Sequence, residues 1–325
     1  MIISRTPLRV SFSGGGTDLP AFYQLEPGAV VSTAIKKYIY IIVNERFDNT
    51  IRVSYNKTEI VSSVDEIKHP IVREALKLVG IDQGVEIVSV ADIPAGTGLG
   101  SSSSFTVGLL NALYAYKGCL KTAEELASEA CHIEIDILGS PIGKQDQYIA
   151  AYGGICYIQF NPDETVCVTP LIVRKQVKEL LEQRLLMYYV GNSHNATNIL
   201  SEQKANTRQE DKFRNLKEMR GLALEIRECL LNGFDPAGFG QILHQDWLLK
   251  RQLARGISDT FIDSCYNRAL DAGALGGKLL GAGGGGFLLI CCLPEKWSAV
   301  KQALNGLKAV KVSLEPEGSK ITHVI

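Results

Sequence analysis

The stretch PAGTGLGSSSS at residues 94–104 decides the architecture of this 325-residue chain. Its three glycines allow the backbone to turn tightly and to expose N–H groups. A strand is predicted before the loop, at residues 85–90, and a helix after it, from Ser101 to about Tyr116. A helix N-terminus has unpaired N–H groups and a positive dipole end, so the loop is suited to bind phosphate. A plain glycine loop with a serine cap fits this one segment equally well.

The signatures of several other nucleotide-binding folds are missing from the sequence. No GxxxxGK[ST] segment occurs, so this is not a P-loop enzyme, and no HRD or DFG occurs, so it is not a protein kinase. A literal GxGxxG is present at Gly281, Gly283 and Gly286, but a strand follows it where a dinucleotide fold needs a helix. These glycines favour close backbone packing against a neighbouring element, which is compatible with contact to the phosphate loop.

Two carboxylates follow the loop at positions that suit metal and base chemistry. Glu134 falls late in a helix that begins with a capping box, Thr122 with Glu125, and its neighbours are apolar. Asp146 lies in the polar segment GKQDQY at residues 143–148. Magnesium is usually bound by one or two carboxylates plus substrate phosphates, and a base that activates a hydroxyl needs its own carboxylate. Glu134 and Asp146 are predicted to divide these roles; a structural carboxylate held by a partner is the alternative for Glu134.

Composition argues against several classes of protein. The formal net charge of −1 gives no global attraction to nucleic acid or to anionic membranes. The first residues contain no long apolar stretch, and the most apolar run, residues 287–293, is too short to span a bilayer. Eight scattered cysteines without a CxxC pair argue against a zinc site or a disulfide framework. We therefore expect a cytoplasmic protein that binds neither nucleic acid nor membrane, and the sequence does not indicate its oligomeric state.

The length of the chain predicts two domains, because one hydrophobic core rarely organises so many residues. A turn near residue 162 and the charged segment after it divide the chain into domains of residues 1–170 and 171–325. Predicted strands cover residues 38–46, 51–55, 85–90, 153–160, 185–190 and 287–293. Predicted helices cover residues 71–79, 101–116, 122–137, 213–226, 236–255 and 258–272, and residues 276–286 are predicted to form a loop.

Three glycine-rich segments, in this order, resemble the three motifs of the GHMP kinases, the family of galactokinase and of homoserine, mevalonate and phosphomevalonate kinases. They are PLRVSFSGGGTD at residues 7–18, PAGTGLGSSSS at 94–104 and KLLGAGGGGF at 278–287, so the resemblance covers essentially the whole chain. The first motif is similar to the galactokinase version, in which an arginine and an aspartate occupy the positions of Arg9 and Asp18.

The resemblance implies a role for each of these segments. Asp146 falls at the position of the catalytic aspartate, with Arg9 beside it to favour the ionised carboxylate. Glu134 and Ser102 fall at magnesium-ligand positions. The implied contacts to ATP come from Pro94, Gly96, Gly98, Leu99, Gly100, Ser101, Ser102 and Ser103. The implied contacts to the substrate come from Thr17, Asp18, Gly283 and Gly284.

The finer resemblance is to the sugar-phosphate branch of the family, through residues 13–23, 143–154 and 273–287. It implies a two-domain α+β fold, with an N-terminal domain like the second domain of ribosomal protein S5, a ferredoxin-like C-terminal domain and the site between them. The implied reaction transfers the ATP γ-phosphate to the anomeric hydroxyl of D-glycero-D-manno-heptose 7-phosphate. The product would be the 1,7-bisphosphate, in the biosynthesis of nucleotide-activated heptose.

Three alternatives stay open at this point: a kinase of fucose or galactose type, a homoserine- or mevalonate-type kinase, and a GHMP-fold protein that binds a ligand without catalysis. A pure binder needs no base and metal ligand together, and the arginine and Gly-Thr-Asp of the first motif favour a sugar. The candidates for holding a substrate phosphate are Arg5, Lys36, Lys37 and Lys144. The segment at residues 190–196 differs from relatives, which more often have threonine and arginine there, so His194 is assigned no role.

Overall fold

The computed structural model describes residues 1–191 and 196–324, and His194 lies outside these ranges. The described chain forms two β-sheets, each covered by helices. The strands of the larger sheet are β1 (Ile2–Ser13), β2 (Gly28–Glu45), β3 (Ile51–Ser54), β4 (Thr58–Val61), β5 (Val85–Ala91), β6 (Ile155–Phe160), β7 (Val166–Pro170) and β12 (Lys320–Val324). The strands of the smaller sheet are β8 (Leu185–Tyr189), β9 (Ala274–Leu279), β10 (Phe287–Cys292) and β11 (Lys308–Lys311).

Eleven α-helices are found in the described residues. They are α1 (Pro20–Tyr23), α2 (Pro70–Val79), α3 (Ser101–Tyr116), α4 (Ala123–Cys131), α5 (Gln145–Tyr152), α6 (Lys175–Arg184), α7 (Ala196–Asn206), α8 (Glu210–Asn232), α9 (Pro236–Lys250), α10 (Thr260–Asp271) and α11 (Trp297–Ala303). A π-helix, His132–Ile137, continues α4, and short 3₁₀ turns cover Val64–Glu66 and Pro294–Lys296. None of these described helices is both long and apolar enough to cross a membrane.

The larger sheet is organised around β2. This strand pairs with β1 along most of its length, with β6 through its first half and with β5 through its second half. Helix α3 packs against both β1 and β2, so its buried side chains close the first hydrophobic core. This arrangement brings the start of α3 close to β1.

The last described strand, β12, returns to this sheet and pairs antiparallel with the outer edge of β1, with Ile2 opposite Val324. Sequence reasoning assigned residues 171–325 to a second domain and did not anticipate this return. The division at residue 170 stays a prediction, and the structure adds that strands from both ends of the described chain share one sheet.

The smaller sheet is antiparallel, in the order β11-β8-β10-β9. Helices α9 and α10 pack on β9, and Trp247 and Tyr266 are buried beneath them. Helix and sheet content therefore confirms the α+β class predicted from the sequence. The expected loop at residues 276–286 is wrong for its first part, because β9 extends to Leu279 and pairs with β10.

Helix α3 has the bounds predicted for it, and the capping box of Thr122 and Glu125 is present at the start of α4. The continuation of that helix differs from the prediction. Residues His132–Ile137 are wound as a π-helix, and the N–H of Leu138 donates to the carbonyl of Ile133, five residues earlier, at 3.0 Å. As a result Ile137, which an unbroken α-helix would place on the buried face, is 45% exposed. Glu134 lies four residues after the buried Ala130, on the same face of the helix, and is 2% exposed.

Candidate active site

The loop between β5 and α3 leaves the start of α3 open to an anion. Its three glycines all have positive φ, which strains any other residue: Gly96, Gly98 and Gly100. Gly100 is the N-cap of α3 and has no side chain that could cap the first turn. The N–H of Arg9 donates to the carbonyl of Leu99 at 3.1 Å, which fixes the loop against β1. The open first turn therefore has a fixed position beside the main sheet.

The other predicted ATP contacts occupy different environments around this loop. The carbonyl of Pro94 accepts a hydrogen bond from the Thr97 hydroxyl at 3.0 Å, which closes the turn. Ser101 is partly exposed and Ser102 is exposed at the start of α3, whereas Ser103 is 2% exposed. Of the three serines, Ser101 and Ser102 are thus the ones open to a ligand.

Arg9 and Asp146 form a bidentate ion pair beside the loop. The guanidinium donates from Nε to Oδ1 of Asp146 at 2.8 Å and from Nη2 to Oδ2 at 2.7 Å. Its third nitrogen, Nη1, donates to the carbonyl of Gly98 at 2.5 Å. Because Arg9 is 5% exposed, its side chain is fixed, and it connects the carboxylate directly to the phosphate loop. A Cβ added at Gly100 would lie 3.2 Å from Oδ2 of Asp146, so the carboxylate also touches the start of α3.

Glu134 lies on the other side of the first turn of α3. The Ser102 hydroxyl donates to its Oε1 at 2.6 Å, and the Gln147 amide donates to its Oε2 at 2.8 Å. Burial raises the pKa of Glu134, and these neutral donors oppose that shift only in part. Among the described residues no lysine or arginine forms an ion pair with it. A cation bound beside Ser102 would therefore stabilise the ionised carboxylate.

Asp18 is buried in the cleft that Arg9 and Asp146 also line. Its carboxylate accepts from the N–H of Gly16 at 2.9 Å and from the N–H of Gln145 at 3.2 Å. Burial, and next the charge of Asp146, raise the pKa of Asp18. The carboxylate rests directly on Gly143, where an added Cβ would lie 2.0 Å from Oδ2. The glycine of GKQDQY is thus needed to bring the two aspartates into one cleft.

The Thr17 side chain, predicted to contact the substrate, bonds within the turn of the first motif. Thr17 is fully buried, and its hydroxyl lies 2.8 and 3.0 Å from the carbonyl oxygens of Gly14 and Ala29, which share its single proton. The same oxygen accepts from the N–H of Ala29 at 3.0 Å, and the residue is not in the cleft lining. These bonds stabilise the turn that presents Asp18, and the contact of Thr17 with substrate stays a prediction.

Gly283 and Gly284 are likewise placed against protein rather than in the cleft. An added Cβ at Gly283 would lie 2.7 Å from Cα of Ile257, and the N–H of Gly284 donates to the carbonyl of Ile257 at 3.0 Å. Neither glycine is among the residues that line the cleft, whereas Gly281 and Ala282 are. The structure shows a packing role for both glycines, and their contact with substrate stays a prediction.

The third glycine-rich segment packs directly on the phosphate loop. A Cβ added at Gly281 would lie 2.4 Å from Cα of Gly98, and one added at Gly286 would lie 2.4 Å from the carbonyl oxygen of Thr97. Both positions have positive φ as well. The close backbone packing predicted for this segment is thus confirmed, and the element it packs against is the loop at residues 94–104.

A buried ion pair that the sequence did not reveal joins the smaller sheet to β1. The ammonium of Lys278 on β9 contacts Oδ2 of Asp246 on α9 and donates to the carbonyl of Phe12 at 3.0 Å. Oδ1 of Asp246 accepts from the Ser13 hydroxyl at 2.6 Å and from the N–H of Gly14 at 3.2 Å. The feature of the sequence that could have indicated this ion pair is Lys278, a lysine inside an otherwise apolar and glycine-rich strand. These contacts hold the first motif against the second half of the chain.

Several of these residues line one cleft between the two sheets. It is lined by Arg9, Ser11, Asp18, Gln145, Asp146, Gln203, Lys250, Lys278 and Gly281, together with small and apolar neighbours. The four candidates for a substrate phosphate, Arg5, Lys36, Lys37 and Lys144, are not in its lining. Arg5 pairs with Glu315 and Glu317, and Lys144 pairs with Glu164, so two of the four already have acidic partners.

The open start of α3 lies beside an ion-paired carboxylate, and that carboxylate shares a cleft with the buried Asp18, an arrangement that fits an enzyme transferring a phosphoryl group to a small molecule. Two family models match the chain, that of the GHMP kinases N terminal domain over residues 67–154 and that of the GHMP kinases C terminal over residues 226–310. Together they match just over half of it, and the chain belongs to the GHMP kinase family. It is a phosphotransferase with an alcohol group as acceptor.

Similar proteins include several sugar kinases. The chain is 28% identical to D-glycero-alpha-D-manno-heptose 7-phosphate kinase of Campylobacter jejuni, over 94% of this chain and 93% of that protein. It is 27% identical to L-fucokinase/L-fucose-1-P guanylyltransferase of Bacteroides fragilis, over 89% of this chain but 34% of that longer protein. The fold matches a D-glycero-D-manno-heptose 1-phosphate kinase from Bacteroides thetaiotaomicron with a TM-score of 0.83 at 23% identity, and each chain is covered completely. The predicted GHMP kinase fold is confirmed.

Proposed function

We propose that this protein is a cytoplasmic kinase that transfers the γ-phosphate of ATP to the anomeric hydroxyl of D-glycero-D-manno-heptose 7-phosphate, giving the 1,7-bisphosphate for nucleotide-activated heptose biosynthesis. The observation that carries the kinase chemistry is the Arg9–Asp146 pair, held between the phosphate loop and the cleft. The choice of substrate is supported by the similarity to the Campylobacter jejuni enzyme along nearly the whole of both chains.

The geometry suits transfer to a sugar hydroxyl. Asp146 is 22% exposed, so the carboxylate can reach a bound acceptor while Arg9 holds both of its oxygens. In the proposed reaction Asp146 orients the attacking hydroxyl and accepts its proton. Phosphoryl transfer through a loose transition state depends mainly on positioning and charge, and the bidentate pair fixes the position of this base. Asp18, buried across the cleft, would accept hydrogen bonds from other hydroxyls of the sugar.

The residues near the start of α3 fit a magnesium ion. Ser102 and Glu134 supply hard oxygen donors, and Glu134 is a buried carboxylate whose hydrogen-bond donors are neutral. The described residues contain no cluster of three or more acidic, histidine or cysteine ligands. Magnesium at a nucleotide needs only one or two carboxylates, because phosphates and water complete its coordination. When bound, the ion neutralises charge on the phosphates.

A panel of acceptors in a coupled assay of ADP release tests the proposed substrate. Phosphorylated heptose should exceed free heptose, fucose and galactose by orders of magnitude in kcat/KM, since its distal phosphate can form charge-assisted hydrogen bonds. Equal or better activity on a free sugar would rule out the heptose 7-phosphate assignment and leave the kinase assignment intact. The position of the new phosphate, read by phosphorus NMR of the product, tests the anomeric hydroxyl.

A fucose-type kinase is the second candidate. It is favoured by the similarity to the Bacteroides fragilis fucokinase, and the acceptor panel separates the two directly. A binding protein without activity is disfavoured, because it would not need a carboxylate ion-paired beside the phosphate loop together with a second one next to Ser102.

A further inference from the structure

Lys250, the last residue of α9, places a cation in the cleft that pairs with no carboxylate of residues 1–191 and 196–324. Its Nζ donates to the carbonyl of Leu279 at 3.0 Å and to that of Gly281 at 2.5 Å. An ammonium has three donors, so one N–H of Lys250 is not used by these two bonds. The residue is 7% exposed and lines the same cleft as Arg9 and Asp146.

The two other cations at this end of the cleft already have partners. Arg9 pairs with Asp146, and Lys278 pairs with Asp246. Burial, and next the nearby charge of Lys278, lower the pKa of Lys250 to about 7. Arg9 lowers it further, whereas Asp246 and Asp146 raise it. Burial and the neighbouring cation therefore disfavour the charged form of Lys250, and an anion bound beside it would raise its pKa again.

The position of Lys250 relative to the phosphate loop indicates that this anion is a phosphate group of the nucleotide. The carbonyl that it holds at 2.5 Å belongs to Gly281, and Gly281 packs on Gly98 of the phosphate loop. The carbonyl of Gly98 is in turn bonded by Arg9, the partner of Asp146. Lys250 thus lies next to the point where the loop, the base and the third glycine-rich segment meet.

Ser11 is a second polar group in the same cleft. It follows Arg9 on the same face of β1, and its buried hydroxyl oxygen has no hydrogen-bond partner in the part of the chain that the structure describes. A buried hydroxyl left unsatisfied is costly, so this part of the cleft is built to receive polar atoms from a ligand.

We propose that Lys250 is a further catalytic residue, whose ammonium binds a non-bridging oxygen of the ATP γ-phosphoryl group during transfer. The inference rests on the proposed kinase function and adds a cation from the second half of the chain to the Arg9–Asp146 pair. In the step, the bond between the acceptor oxygen and the γ-phosphorus forms while the β,γ-bridging P–O bond breaks. ADP leaves with that electron pair, Asp146 takes the acceptor proton, and Lys250 keeps its own protons throughout.

Nucleotide binding provides a test that needs no turnover. Lys250→Met should lower affinity for the non-hydrolysable analogue AMPPNP by about 10- to 100-fold, the range for one lost charge-assisted hydrogen bond, and should change ADP affinity far less. Calorimetry of the wild type in buffers of different ionisation enthalpy, at pH 7.5 to 8, should show proton uptake with AMPPNP that is smaller with ADP. The uptake should disappear in Lys250→Met.

Two further variants separate this role from a structural one. Lys250→Arg keeps a positive charge that does not titrate, so it should retain AMPPNP affinity while losing the linked proton uptake, and it remains informative if Lys250→Met does not fold. Lys117→Met removes a lysine that likewise holds two backbone carbonyls, those of Val79 and Gly80 at 2.9 and 3.3 Å, but that does not line the cleft, so it should lower Tm without changing the ratio of AMPPNP to ADP affinity.

Two results would overturn the assignment. One is an unchanged AMPPNP-to-ADP affinity ratio in folded Lys250→Met, which would leave Lys250 with the purely structural role of holding Leu279 and Gly281. The other is a raised KM for the phosphorylated sugar with normal discrimination between the nucleotides, which would move the contact to the phosphate of the acceptor. Both differ from failure of the proposed function, which would appear as absent sugar phosphorylation by the wild type with nucleotide binding intact.

Discussion

Arg9 and Asp146 are separated by 137 positions in the chain, yet the guanidinium of one holds both carboxylate oxygens of the other, at 2.8 and 2.7 Å. The remaining guanidinium nitrogen of Arg9 reaches the phosphate loop at Gly98. One buried side chain therefore sets both the orientation of Asp146, the proposed base, and its distance from the phosphate loop. The predictions below test this unit and the elements that support it.

Asp146→Asn should lower kcat by about 10²- to 10⁴-fold, the usual contribution of a general base, while nucleotide binding survives. Tm should also fall, because Arg9 loses its charged partner. Asp48→Asn is a matched control, since Asp48 forms the same bidentate pair with Arg46 at 2.9 Å on the surface. Steady-state kinetics and thermal unfolding of both variants are the measurements. A folded Asp146→Asn enzyme with near-normal kcat would remove Asp146 from the mechanism.

Glu134→Gln should lower turnover and raise the magnesium concentration needed for half-maximal rate, because the variant keeps the shape of the side chain and removes its charge. Asp136→Asn, two residues further along the same π-helix, is the control: its side chain is 66% exposed and pairs with His132. Magnesium titrations of rate for the two variants give the comparison. If Glu134→Gln needs the same magnesium concentration for half-maximal rate as the wild type and Asp136→Asn, Glu134 does not bind the ion.

Gly98→Ala should lower Tm more than Gly96→Ala. The two glycines have nearly equal positive φ, 80° and 77°, so the strain from adding a side chain is similar at both. Only at Gly98 would the new Cβ meet another segment, 2.5 Å from the carbonyl oxygen of Leu280, whereas nothing lies within 4 Å at Gly96. Thermal unfolding of the pair measures the difference, and equal losses in Tm would contradict tight packing between the loop and the third segment.

Glu164→Gln should lower Tm by roughly 1–3 °C at neutral pH, as expected for loss of a partly exposed charged network. Although burial raises the pKa of Glu164, donors from Lys144, Tyr23 and Gln24 outweigh it and lower the pKa from 4.5 to about 2. The stabilisation is therefore present above pH 4.5 and is lost as the pH falls towards 2.

The difference in Tm between Glu164→Gln and the wild type should accordingly close over that acidic range. Glu179→Gln, whose partner Lys175 is 3.9 Å away on the surface, should match the wild type at every pH. A difference at Glu164 that stays constant down to pH 2 would show that its charge is not the source of the stability.

The sequence predicted best what short segments encode. Glycine spacing and the following serines located the phosphate loop and α3, and the capping box located the start of α4. The burial of Glu134 agrees with its spacing of four residues from Ala130, but a 3.6-residue period cannot reveal the π-helix, a change of winding that exposes Ile137.

What the sequence did not reveal depends on contacts between distant segments. In the sequence, Lys250 and Lys278 cannot be distinguished from ordinary surface charges. The packing of α9 and β9 is what brings them into the cleft. Thr17 was assigned to substrate because it belongs to the first motif, yet its hydroxyl is used within the turn. A motif identifies which positions matter, but the partner of each side chain is decided by packing.

The pairing of β12 with β1 has a consequence for the order of events on the ribosome. Synthesis runs from the amino end, so the strand that carries Arg9 emerges long before its outer neighbour, β12. Until β12 has left the ribosome, one edge of β1 exposes unpaired backbone groups, which are prone to join foreign strands. The nascent chain thus has its phosphate loop and α3 available long before the sheet beneath them can close, and chaperone protection of that edge would matter throughout this interval.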